Sequence, residues 1–290
     1  FIREKDSLRN VSLMSQQLNL NDHLLLGLNE FMNGNMFAVY AFNFYYNKRR
    51  DSEKCEFEIY FSILGSAGNI TKSLSISLSF SSLQFDENYF YKSANSFTNG
   101  SHVLISFCFA GYNFQLLCII SNETQKKFEL RFNPPKECKT SINSKNVYIM
   151  NEKEQELGIF DFELKKIKSI KIKEELKFLF GSSLIMVNEE DLLYAALADK
   201  IVIYQLPNLE PINSFEISHK CSPMSSHFIN GYFVSRFEDH LQYLDLKYAK
   251  AFQRAVNDLN LSDSNIQMRA IDQERFIFFN NKTKQIHIFS

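Results

Sequence analysis

The chain has 290 residues, 45% of them hydrophobic, enough to bury a substantial core, and one large β domain accounts for its length more simply than two smaller ones. Lys+Arg 32 against Asp+Glu 33 gives a net charge of -1, which excludes the long-range positive field that gathers nucleic acid or anionic membrane. No apolar stretch reaches about 18 residues without polar interruption, so no membrane-spanning helix is expected.

Phe 29 and Tyr 13 beside Gly 9, Pro 5 and no Trp describe a β-rich interior filled by phenyl and phenol rings. The first ten residues carry charges of both signs and no apolar segment of signal-peptide type. Five cysteines, Cys55, Cys108, Cys118, Cys138 and Cys221, are odd in number, far apart and without metal-ligand spacing. They read as buried thiols in a reducing compartment, which places the chain inside the cell, in cytoplasm or nucleus.

Taken in chain order, residues 10–18 (NVSLMSQQL) form a short strand candidate. Residues 23–80 contain apolar runs at Met36 to Phe42, Cys55 to Ile63 and Ser73 to Phe80, with a charged insertion, Asn47 to Lys54, between the first two. That insertion reads as an exposed hairpin loop, and it carries Lys48, Arg49 and Arg50. Residues 83–132 hold Val103 to Phe109, Phe114 to Ile120 and Lys127 to Phe132.

Beyond residue 138 the pattern becomes regular. Four alternating runs, Leu157 to Glu163, Lys200 to Leu206, His240 to Leu246 and Lys284 to Ser290, align on Phe160-Asp161, Tyr204-Gln205, Leu244-Asp245 and Phe289-Ser290, at steps of 44, 40 and 45 residues. Each is preceded by an apolar run (Val147 to Met150, Leu192 to Leu197, Tyr232 to Phe237, Phe276 to Phe279). The first three are followed by another (Ile167 to Ile172, Ile212 to Ile217, Ala251 to Val256). With a weaker leading run in each unit, such as Lys177 to Val187, this makes four strands per about 42 residues, the period of a propeller blade. Ala249 to Asn260 also fits a helix, which would remove one outer strand.

The expected fold is therefore all-β: a single β-propeller over residues 1–290. It has six four-stranded blades at 23–80, 83–132, 138–172, 177–217, 224–256 and 266–290, or seven if the irregular region 31–99 holds further strands. The chain stops on the third strand of its last blade, and 10–18 is expected to supply the fourth, which removes an open sheet edge.

At these residues the chain resembles the WD40-repeat family. That family's repeat ends in apolar-x-Trp-Asp, and Phe160-Asp161 and Leu244-Asp245 stand where the dipeptide would; Ser218-His219 echoes its Gly-His. Where the likeness holds, it implies a WD-repeat interaction scaffold without catalysis, a subunit of a protein complex.

The ionisable residues point the same way. His23, His102, His219, His227, His240 and His287 lack the spacing of a local metal pair, and Glu189-Glu190-Asp191, Glu238-Asp239 and Asp86-Glu87 sit where hairpin turns are expected. No nucleophile elbow, P-loop or dinucleotide fingerprint is present, so no catalytic, metal or cofactor residue is assigned and no cofactor is expected.

The expected partners are proteins. Lys48, Arg49 and Arg50 on the inserted loop, with His219 and Lys220 on an inter-blade connection, are the candidate contacts. A Lys-rich ridge, Lys165, Lys166, Lys168, Lys171 and Lys173, falls on an outer strand and reads first as edge protection. Its alternative is an anionic-ligand surface for RNA or phosphoinositide. Six Asn-x-Ser/Thr sequons, at Asn10, Asn69, Asn99, Asn122, Asn260 and Asn281, carry the remaining alternative, a glycosylated extracellular propeller with hydrolase or lectin activity.

Overall fold

The computed structural model describes residues 138–217 continuously, together with 9–10, 24–30, 37–45, 54–64, 70–81, 95–99, 101–109, 114–121, 127–132, 226–229, 231–237, 240–248, 250–255, 266–270, 276–280 and 285–289. Strand β1 is Arg9–Asn10. The first sheet is β2 (Leu24–Glu30), β3 (Phe37–Tyr45), β4 (Lys54–Leu64) and β5 (Ile70–Ser81). The second is β6 (Asn95–Thr98), β7 (His102–Phe109), β8 (Phe114–Ser121) and β9 (Lys127–Phe132). The third is β10 (Lys139–Ile142), β11 (Val147–Asn151), β12 (Glu156–Phe160) and β13 (Lys166–Lys171). The fourth is β14 (Leu184–Val187), β15 (Leu192–Ala196), β16 (Lys200–Gln205) and β17 (Glu210–Glu216). The fifth is β18 (Ser226–Ile229), β19 (Tyr232–Arg236), β20 (His240–Asp245) and β21 (Lys250–Ala255). The last combines β22 (Ile266–Ala270), β23 (Phe276–Asn280) and β24 (Gln285–Phe289) with β1, in the order β1-β24-β23-β22. All pairings are antiparallel and all but β1–β24 join consecutive strands, an all-β, propeller-like arrangement.

Alternation along each strand explains how the sheets stack. In β11, Val147 and Ile149 face a core shared with Leu104, Leu117 and Ile119 of the second sheet. Their neighbours Tyr148 and Met150 face a core shared with Ile185, Val187, Leu193 and Ala195 of the fourth. In β15 and β16, Tyr194, Ala196, Ile201 and Ile203 turn the other way and meet Phe233 of the fifth sheet. Successive residues of one strand thus belong to different cores, because side chains alternate across a sheet. A strand between two covered faces must be apolar throughout, which is why β11 and β15 read as unbroken apolar runs.

Outer strands show the reverse. β13 and β17 are exposed along most of their length and carry the charges. Tyr148, Phe233 and Phe278, each 1% exposed or less, are the largest fully buried side chains among the described residues.

Three local expectations change. Glu174–Gly181 is a 3-10 helix and the strand begins only at Leu184, so Lys177 to Val187 is not one leading strand. The apolar spacing of Leu176, Leu179 and Phe180 packs one side of that helix onto the third-fourth core, with Leu179 fully buried. Lys250–Ala255 is a strand, which resolves the helical alternative for 249–260 over those residues. The N-terminal pairing lies at Arg9–Asn10, opposite Ile288 and His287, at the very start of the expected 10–18 segment; residues 11–18 lie outside the described residues. The strands described between residues 31 and 99 all belong to the first two sheets.

Candidate interaction surface

The Lys-rich ridge is the best described of the predicted sites. Lys166, Lys168 and Lys171 are exposed on β13, and Lys173 is exposed just beyond it, at the N-terminus of the 3-10 helix. Beneath them Glu156 opens β12 with its side chain only 7% exposed. Its Oε1 accepts a hydrogen bond from Lys166 Nζ, and its Oε2 lies 3.4 Å from Lys171 Nζ. Burial alone would push the Glu156 carboxyl up, but hydrogen bonds from Lys166 and Ser169 and the Lys166 charge outweigh it and hold the group below its usual value. Lys165, next on the chain, pairs with Glu163. Three of the five ammonium groups are thus matched locally, and Lys168 and Lys173 stand at the surface. The arrangement pins an outer strand to its neighbour, with two carboxylates, Glu156 and Glu163, facing five ammonium groups.

A one-residue bulge recurs on two outer strands. Phe160 pairs with Lys166 and Ile159 with Lys168, leaving Ile167 as the extra residue; Tyr204 pairs with Pro211 and Ile203 with Asn213, leaving Ile212. Both isoleucines are more than half exposed, 59% and 52%. Just before them Leu164 and Leu209 are held at φ 59 and φ 57, each 5% exposed, so burial of the side chain fixes a left-handed turn in both blades. Bulges, Lys and Pro on outermost strands all deter pairing with a foreign strand.

A second surface was not anticipated. The turns joining the first and second strands of the second, third and fourth sheets place Asn99, Asn143 and Asn188 at one equivalent position. Asn99 Oδ1 accepts from the amides of Ser101 and His102 at 3.1 and 2.8 Å. Asn143 Oδ1 accepts from Lys145 and Asn146, both at 2.9 Å. Asn188 Oδ1 accepts from Glu190 and Leu192, at 3.0 and 2.9 Å. Each side chain closes its own turn as an Asx turn does. The third and fourth turns are also joined to each other. Ser144 donates its amide to Glu189 Oε1 at 2.8 Å and its hydroxyl to Oε2, and Lys145 Nζ donates to the Glu189 carbonyl at 2.9 Å. Part of the Glu189-Glu190-Asp191 cluster is therefore spent on bonding to the adjacent turn. The sequence signal was present: an apolar or Thr residue followed by Asn stands at 98–99, 142–143, 187–188 and 229–230.

The aspartates of the two WD-like dipeptides act locally. Asp161 Oδ1 accepts from Glu163 and Lys165, and Asp245 Oδ1 from Lys247 and Tyr248, so each caps the turn leading to an outer strand. Among the described histidines, His102 stacks on Phe162 at 4.1 Å, His240 stacks on Phe237 at 4.8 Å, and His227 Nε2 meets the Met268 carbonyl at 3.0 Å. Lys48, Arg49, Arg50, His219 and Lys220 lie outside the described residues. No group of three metal-ligating side chains occurs among the described residues, and no helix among them is long and apolar enough to cross a membrane.

No protein-family model matches the chain, and no curated protein is similar to it. Among solved structures, one titled "AfRom2 CNH domain" is 7% identical, covering 93% of this chain and 95% of that one with a TM-score of 0.49. At that identity and superposition the likeness identifies no partner or activity.

Proposed function

We propose that the chain is one closed six-bladed β-propeller serving as a non-catalytic platform for other proteins in a larger intracellular assembly. The observation that carries the architecture is the last sheet, which takes its fourth strand, β1, from the other end of the chain. The neighbour order of the first strands supports it: β2 lies beside β6, β6 beside β10, β10 beside β14, β18 beside β22, and β22 beside β2. A ring of this kind holds its turns in fixed positions, and the bonded turns at 143–146 and 188–191 are a surface whose polar groups serve backbone geometry. Rigid turns on a scaffold suit recognition of a partner.

RNA or phosphoinositide binding along Lys166, Lys168, Lys171 and Lys173 is the weaker reading, since Lys166 and Lys171 are both held over the Glu156 carboxylate, which offsets one of those charges. The test is size-exclusion chromatography of a tagged chain isolated from its native source, with mass spectrometry of the co-eluting proteins, beside a variant lacking 48–54. A fixed set of proteins eluting with the chain, reduced in the deletion variant, is expected. A chain that elutes alone and turns over a small molecule overturns the platform reading.

A further inference from the structure

The three turn asparagines do more than cap their own turns. Asn99 Nδ2 donates to the Asn143 carbonyl at 2.8 Å, and Asn143 Nδ2 donates to the Asn188 carbonyl at 3.0 Å. The steps are 44 and 45 residues, one blade each. Every link has the same construction: the acceptor oxygen of one side chain closes a turn while its amide nitrogen grips the backbone of the next. Asn143 is 3% exposed, where an unmade hydrogen bond is costly and a made one is well shielded.

We propose that Asn99, Asn143 and Asn188 form a one-way relay that couples the turns of three successive blades into a single mechanical unit. The relay is directional because each step runs from a side chain to a main-chain oxygen. Removing a side-chain amide therefore frees the following turn and leaves the preceding one bonded. Along this face the surface offered to a partner is then set by neighbouring blades together, and a disturbance at one turn reaches the next at a distance of about 45 residues in sequence. This rests on the pairings of the second to fourth sheets and stands whether or not the ring as a whole is closed or binds proteins.

Three contacts lie beside the relay; the buried bond from Val187 N to Ser141 Oγ at 2.9 Å joins the strands before these turns and is untouched by the substitutions below. Asn143 Nδ2 also lies 3.2 Å from the Tyr148 hydroxyl. The Ser144 and Lys145 bonds to Glu189 join the same pair of turns, but at exposed positions where such pairs contribute little.

Asn143→Ser keeps a side-chain oxygen for the turn, adds no charge, and deletes the amide. Amide hydrogen exchange, read by NMR on the folded chain, is expected to speed up about three- to tenfold at Glu190, Asp191 and Leu192, the scale of one lost hydrogen bond. Asn99→Ser is expected to do the same at Lys145 and Asn146, so the test survives if either variant folds poorly. Asn188→Ser should leave 145–146 unchanged, and Tyr148→Phe should leave 190–192 unchanged. The relay is overturned if the serine variants speed exchange only within their own turns. It is equally overturned if Tyr148→Phe reproduces the effect at 190–192, or if Asn188→Ser loosens the turn before it.

Discussion

Replacing Glu156 by Gln removes one negative charge from a nearly buried position and leaves the shape of the side chain intact. In the native chain the carboxylate holds Lys166 and Lys171 from its two oxygens, and through them ties β13 to β12. A hydrogen bond to a charged group contributes about 1.5–3 kcal/mol net, but the two lysine side chains are 46% and 72% exposed and must be discounted for solvent. A loss of about 1–2 kcal/mol at pH 7 is the expected total. The pH dependence has a definite sign. The folded carboxyl titrates below its ordinary value of 4.5, so its contribution is fully present above that value and is lost as pH falls through the folded pKa. Urea midpoints of wild type and Glu156→Gln, measured from pH 7 to pH 3, should differ most near neutrality and converge in acid. Equal midpoints at pH 7, or a gap that stays constant into acid, would refute the claim that this ion cluster secures the outer strand.

Two further perturbations test the cores between sheets. Phe233, 1% exposed between the fourth and fifth sheets, should cost about 3–5 kcal/mol when cut to Ala, by thermal or denaturant unfolding, whereas Tyr248→Ala, at a position 63% exposed, should change stability by less than about 0.5 kcal/mol. Burial pushes the Tyr243 hydroxyl from 10.0 to about 12, so the unfolded chain ionises first and stability should fall between those values as pH rises. Tyr243→Phe removes that contribution, and its stability should decline less over the same interval.

The repeat was legible where strands are buried on both faces. Val147 to Met150 and Leu192 to Leu197 announce themselves because alternate residues enter different cores and none is free to be polar. The runs aligned on Phe160, Tyr204, Leu244 and Phe289 fell on the third strands, in chain order, of four sheets. Short elements were harder. A two-residue pairing at Arg9–Asn10 has no periodicity to read. The later part of the 3-10 helix, from Lys177, was absorbed into the run Lys177 to Val187 because Leu179 and Phe180 look like strand residues when their partners are unknown.

Site chemistry was hidden differently. The lysine ridge was visible in sequence, but Glu156 sits ten residues before Lys166 and meets it only across a hairpin. Asn99, Asn143 and Asn188 looked like ordinary turn residues, since their shared position matters only when blades stand side by side. The WD40 likeness rested on the aspartates after Phe160 and Leu244 and on Ser218-His219; the two aspartates cap local turns, a use that any hairpin can make of Asp, and Ser218-His219 lies outside the described residues.

Closure within one chain is the claim on which the propeller platform depends, and a paired substitution addresses it directly. Asn10 stands opposite His287 in the β1–β24 ladder, where directly opposed antiparallel residues have Cα atoms about 4.5–5.5 Å apart, within reach of a disulfide. In the Asn10→Cys, His287→Cys chain, mild oxidation followed by peptide mapping without reductant should recover an intramolecular bond between residues 10 and 287, with a raised melting temperature. A folded chain in which those two thiols stay free, or join only between separate molecules, would contradict the closed ring.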